Sequence, residues 1–134
     1  MRTSKQVIVL RKDLNMRKGK FVSQGAHAAV KALLDIGTIV PDESGSRTLT
    51  IPIGKNTSIE DWLLGAFTKI TVYVNSEQEL MEIYGKAVKA KLPAALITDA
   101  GRTEFNGVPT RTGCCIGPAW SDEIDDITAS LPLL

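Results

Sequence analysis

The chain contains one histidine, His27, and two cysteines, which stand side by side at 114 and 115. A single histidine excludes HExxH and other multi-histidine metal sites. Neighbours on a strand point to opposite faces, so Cys114 and Cys115 form no disulfide with each other and there is no disulfide framework. Nothing near them in sequence lowers a thiol pKa, which makes them small packing residues. No apolar run approaches the roughly 20 residues of a membrane span. No signal peptide precedes the first strand, and the expectation is a cytoplasmic protein with no membrane partner. GxGxxG, GxxxxGK[ST] and GxSxG are all missing, which removes the dinucleotide, nucleoside-triphosphate and serine-elbow readings. Gly19-Lys20 resembles the tail of a phosphate loop, but Phe21 stands where a magnesium-binding hydroxyl would be needed. What remains is a site expected to need neither metal nor cofactor.

The 134 residues suit one domain, and 43% apolar with 23% charged residues is ordinary for a globular protein. The net charge of +1 hides an uneven distribution. Arg2, Lys5, Arg11, Lys12, Arg17, Lys18 and Lys20 crowd the N-terminal segment, opposed there only by Asp13. Asp122, Glu123, Asp125 and Asp126 gather near the other end. A basic patch on a near-neutral chain fits a local contact with phosphates better than general coating of nucleic acid. A solvated charged surface accounts for it equally well.

Lys5 to Arg11 reads as a buried strand, β-branched and bounded by polar residues. A helix is predicted from about Gly19 to Ile36. Its periodicity sets Val22, Ala26, Ala29, Leu33 and Ile36 toward a sheet and Lys20, Gln24, His27 and Lys31 away from it. Residues 38–58, punctuated by Pro41, Gly45, Pro52 and Gly54, read as a loop or small hairpin inserted into the domain. A short helix around Ile59–Ala66 carries Trp62, and a strand follows at Lys69–Val74. Ser76 with Glu79 forms a capping box for a helix reaching Lys91, which Pro93 stops. Strands at Ala94–Thr98 and Cys114–Gly117 come next, then a final helix capped by Ser121.

The alternation implies a layered α/β domain with right-handed crossovers. The Asp99–Arg111 connection is too short for a crossover helix, so the last strand runs antiparallel to the one before it. This topology brings the start of the first helix, the end of one strand and the start of the next to a single sheet edge. Lys20, Asp99, Thr103 and Thr112 would converge there. Each has an ordinary reading when taken alone. Lys20 is a solvated lysine in most helix first turns, and Asp99 before Ala-Gly is a turn former. Thr103 and Thr112 are common loop and strand residues, Gln24 is surface polarity, and His27 is more often structural than a base. The chemical reading makes Lys20 an anion-stabilising group at a helix N-terminus and Asp99 a group that orients or deprotonates water.

Taken together, Gly19-Lys20, Gln24, His27-Ala28-Ala29, Lys69-Ile70, Asp99-Ala100-Gly101-Arg102-Thr103, Thr110-Arg111-Thr112 and Ile116-Gly117-Pro118 resemble the archaeal/eukaryotic-type peptidyl-tRNA hydrolases. The ending Ile124-Asp125-Asp126-Ile127-Thr128 with Leu131-Pro132-Leu133-Leu134 is similar to that family's tail. The resemblance implies a three-layer α/β/α sandwich on a four-stranded mixed sheet with the fourth strand antiparallel, often as a homodimer. It implies hydrolysis of the ester joining a peptide to tRNA. The family's site maps onto Lys20, Gln24, Asp99, Thr103 and Thr112. Given that substrate, the basic residues Arg11, Lys12, Arg17, Lys18 and Arg102 are expected to contact the tRNA acceptor arm. A non-catalytic tRNA- or protein-binding module of the same fold is the alternative, and a hydrolase of another ester, such as D-aminoacyl-tRNA, is a third reading.

Overall fold

The computed structural model describes residues 1–102 and 104–134. Its elements run β1 (Ser4–Arg11), α1 (Lys18–Leu34), β2 (Thr38–Pro41), β3 (Arg47–Thr50), α2 (Ser58–Leu64), β4 (Lys69–Val74), α3 (Glu77–Lys89), β5 (Ala94–Asp99), β6 (Thr110–Trp120) and α4 (Ser121–Thr128). The main sheet has the order β4-β1-β6-β5. β4 lies parallel to β1, whereas β6 is antiparallel to both β1 and β5. Three strands therefore point one way, and the last strand is inserted between two of them, antiparallel to its predecessor as expected. The segment 38–58 contains the separate β2–β3 hairpin.

Helices cover both faces, which makes the expected α/β/α sandwich. On one side α3 and α4 pack Leu80, Ile83, Ala87 and Ile124 against Val7, Val9, Val72, Val74, Cys114 and Ile116. On the other, α1 lays Ala28, Ala29 and Ala32 on Ile8, Leu10, Ile97 and Cys115. The two cysteines thus belong to opposite layers, as strand alternation requires. Ser76 accepts the Glu79 N–H at 3.0 Å and starts α3 as predicted. Residues 132–134 turn back along the outer side of β4. Tyr73 N–H donates to Pro132 O, and Leu134 N–H to Thr71 O, both at 3.1 Å.

Three expectations are corrected. The buried face of α1 is Gln24, Gly25, Ala28, Ala29 and Ala32, not the stripe with the larger side chains. Val22 is 72% exposed, and Ala26 also faces outward. The strands opposite already supply Ile and Leu, so small helix residues let the two layers approach to packing distance. His27 and Lys31 stay exposed as read. Secondly, β6 spans eleven residues rather than four. Its polar start and two glycines look like loop in sequence, but Gly113 is demanded by the strand pairing: a Cβ there would lie 2.6 Å from Val9 O. Thirdly, Ser121 is the first residue of α4 and not its cap, which is Trp120. The Ser121 side chain instead accepts a hydrogen bond from Thr3 Oγ1 at 2.7 Å.

Candidate active site

Asp99 is the last residue of β5, and Lys20 lies in the first turn of α1. Lys20 Nζ donates to Asp99 Oδ2 at 2.9 Å, with both side chains 15% exposed. Gln24 lies one helical turn after Lys20, on the same face. Its Nε2 donates to the same Asp99 oxygen at 3.3 Å. Its Oε1 accepts from the Thr112 hydroxyl at 2.6 Å. Gln24 is 1% exposed and Thr112 is fully buried, so each polar group depends on this chain for its partner. An ionised carboxylate only accepts, which sets the order donor to acceptor from Thr112 through Gln24 to Asp99.

The pairing of β5 with β6 slips between Ile97 and Thr98. Ile97 opposes Gly113 and Thr98 opposes Arg111, which leaves Thr112 as the extra residue of a β-bulge. Bulges re-aim a side chain, and this one supports the Thr112 hydroxyl against Gln24. The other Asp99 oxygen, Oδ1, accepts the Gly101 N–H at 2.8 Å. Gly101 has φ +79°, and a Cβ there would fall 2.3 Å from Val108 O, so this turn needs glycine. The loop closes on itself through Gly107 N–H to Gly101 O at 2.8 Å. That closure brings the Phe105 ring to 5.7 Å from Lys20 Nζ.

The Lys20 hydrogen bond holds the Asp99 carboxyl below its ordinary value, against an opposing contribution from burial. The Gly101 N–H, the Lys20 charge and the Gln24 amide act in the same direction as that bond. The centre is therefore an ionised carboxylate clamped from both sides. Neither cysteine supplies a nucleophile: burial pushes the Cys114 thiol up to about 12 and the Cys115 thiol higher still. Among the described residues no three His, Cys, Asp or Glu side chains gather as a metal site would require.

The structure thus brings Lys20, Gln24, Asp99 and Thr112 together. Thr103 lies outside the described residues. The basic residues divide. Arg11 is buried, with Nε and Nη2 on Asp13 at 3.1 and 2.7 Å and Nη1 on Arg111 O at 3.0 Å, so its guanidinium braces the exit of β1 against β6. Lys12, Arg17, Lys18 and Arg102 are exposed. Lys12 Nζ sits 4.4 Å from the centre of the Tyr73 ring, and Arg17 is 3.9 Å from Glu104. Sequence reasoning missed Phe105 and the Gly101 N–H. A lone aromatic inside a polar glycine loop was the available signal for the first.

Fold and centre together define a three-layer α/β protein with a carboxylate–ammonium pair where a helix start meets a strand end. The chain belongs to the family described as Peptidyl-tRNA hydrolase PTH2, whose model matches residues 4–134. It is 40% identical over 130 residues to a protein named peptidyl-tRNA hydrolase from Methanocaldococcus jannaschii, covering 97% of this chain and 99% of that one. A protein of the same name from Sulfurisphaera tokodaii is 41% identical over 132 residues, covering 98% of each. Among solved structures, a protein of unknown function from Agrobacterium tumefaciens shares the fold with a TM-score of 0.57 at 12% identity, covering 100% of this chain and 99% of that one.

Proposed function

We propose that this protein hydrolyses the ester between a peptide and the terminal ribose of tRNA. The observation that carries the reading is the chain Thr112–Gln24–Asp99–Lys20 in a member of the PTH2 family. Water is the nucleophile. It adds to the ester carbonyl carbon, the carbon–oxygen bond to ribose breaks, and the proton lost by water ends on the ribose oxygen. Asp99 orients that water and has little power to deprotonate it, since a carboxylate with a lowered pKa is a weak base at neutral pH. Lys20 supplies positive charge to the carbonyl oxygen as it becomes an oxyanion. Gln24 and Thr112 fix the carboxylate, and the family resemblance adds Thr103 to the residues proposed for catalysis.

Phosphate contacts fall to Lys12, Arg17, Lys18 and Arg102, with Arg11 bracing the strand. Cations at a helix N-terminus oppose the helix dipole. Arg17 and Lys18 nonetheless open α1, and among the described residues no side chain caps it. An anion placed there relieves both features. Lys12→Ala and Lys18→Ala are each expected to weaken tRNA binding and to flatten the slope of log K against log salt by about one unit. Filter binding across a salt series checks this, and an unchanged slope in both variants removes these lysines from the interface.

The decisive assay is release of labelled peptide from an N-acylated aminoacyl-tRNA by the purified protein with EDTA present. Turnover is expected there and not with the free-amine ester, which separates this activity from D-aminoacyl-tRNA hydrolysis. Binding without turnover would favour the non-catalytic reading. No helix among the described residues is long and apolar enough to cross a membrane. The place proposed for this activity is the cytoplasm, where translation leaves the substrate. A homodimer would seat a second copy on the apolar hollow between α1 and β4, bordered by Val22, Phe67 and Leu134. Sedimentation equilibrium distinguishes it from a monomer.

A further inference from the structure

A groove of about 1040 Å³ leads away from Asp99 and Gln24 between the outer flank of α1 and β5. Ser23, His27, Val30 and Leu34 line its helical wall, and Leu96 and Thr98 line the strand wall. β5 is the last strand of the sheet, so among the described residues it is paired on one side only, with β6. Gly117 N–H donates to Pro93 O at 2.7 Å. In an antiparallel ladder bonded and non-bonded pairs alternate, so the main-chain groups of Ala95 and Ile97 face β6. Those of Leu96, between them, face the open edge, inside the groove.

We propose that this groove binds the peptide portion of the substrate as an added β-strand on the free edge of β5, an inference that rests on the esterase reading above. Two arguments select this occupant. The groove is continuous with the carboxylate, and the acyl side of the scissile ester must leave the centre along some surface. Peptides released from translation also share no sequence, so a site for them must read main chain, which edge pairing does. The chemistry fixes the direction. The peptide's C-terminal carbonyl lies at Asp99, so its chain runs toward Asp99 as β5 does and the added strand is parallel. From Gln24 to Leu34 the helical wall is about 15 Å long, enough for about four or five extended residues.

The test is a series of N-acetylated peptidyl-tRNAs with one to six residues, the same tRNA and the same esterified residue. kcat/KM is expected to rise roughly tenfold or more up to four or five residues and then level, as two main-chain hydrogen bonds would give. Methylating alternate backbone nitrogens should abolish the gain in one phase and preserve it in the other. Leu34→Trp, an exposed position at the far end of the groove, should lower the ratio of long- to short-peptide turnover toward one. Hydrolysis of every member at one rate, or equal loss from methylation in either phase, overturns the added strand and leaves the esterase reading standing. If a second copy of the chain fills the groove, length dependence is absent and Leu34→Trp changes the sedimentation instead, which also overturns it. No hydrolysis of any member sinks both readings.

Discussion

Asp99→Asn is expected to lower kcat/KM for peptidyl-tRNA by about 10²-fold or more while the protein stays folded, because orientation of a reactant alone is worth that much. The change is nearly isosteric, but it cannot be accommodated. Asp99 Oδ2 accepts from Lys20 and Gln24, and Oδ1 accepts from Gly101. An asparagine offers one acceptor and one donor, so whichever way the amide turns, a donor faces a donor. The lowered pKa gives a second readout. A carboxyl whose folded pKa lies below its ordinary value adds stability at pH above that ordinary value. This contribution disappears as pH falls through the folded pKa. Urea denaturation at about pH 5 and pH 3 should show this acid-side loss in the native protein and a smaller loss in Asp99→Asn. Rates within a few-fold of the native enzyme would remove Asp99 from the mechanism.

Lys20→Met keeps most of the unbranched side chain and removes its charge. Deleting one donor from an oxyanion site typically costs about 10²–10³ in kcat, and a loss of that order is expected here with KM little altered. The residual activity carries a diagnostic. Lys20 is the largest cause of the depressed Asp99 pKa, so its removal lets the carboxyl rise toward the ordinary range. The acid limb of the rate profile should therefore move to higher pH. Steady-state kinetics across pH tests both statements. A large drop in kcat with an unmoved acid limb would mean that Lys20 serves the substrate without acting on Asp99.

Several elements were legible because the signal was local. The strand at Lys69–Val74 and the Ser76–Glu79 start of α3 depend on nearby residues alone. The meeting of Lys20 with Asp99 followed from connection length and strand direction, since only an antiparallel return fits so short a loop. Gln24 was not legible from periodicity. It is polar on a face that burial claims, and only its partners, Thr112 and Asp99, make that tolerable. Those partners are 88 and 75 residues away, beyond any helical pattern. The bulge at Thr112 was hidden for a related reason: register belongs to two strands at once. Arg11 illustrates the same point with charge, because Asp13 and the Arg111 carbonyl claim its guanidinium only after folding.

The tail that turns back along β4 gives the sheet a handedness of availability. Tyr73 spends its outward N–H, and Thr71 its outward carbonyl, on residues 132 and 134. An unfolded polypeptide of any sequence that searches this surface for vacant amides finds that flank already covered by a segment of the same chain. It is left with the opposite flank, which ends at Asp99.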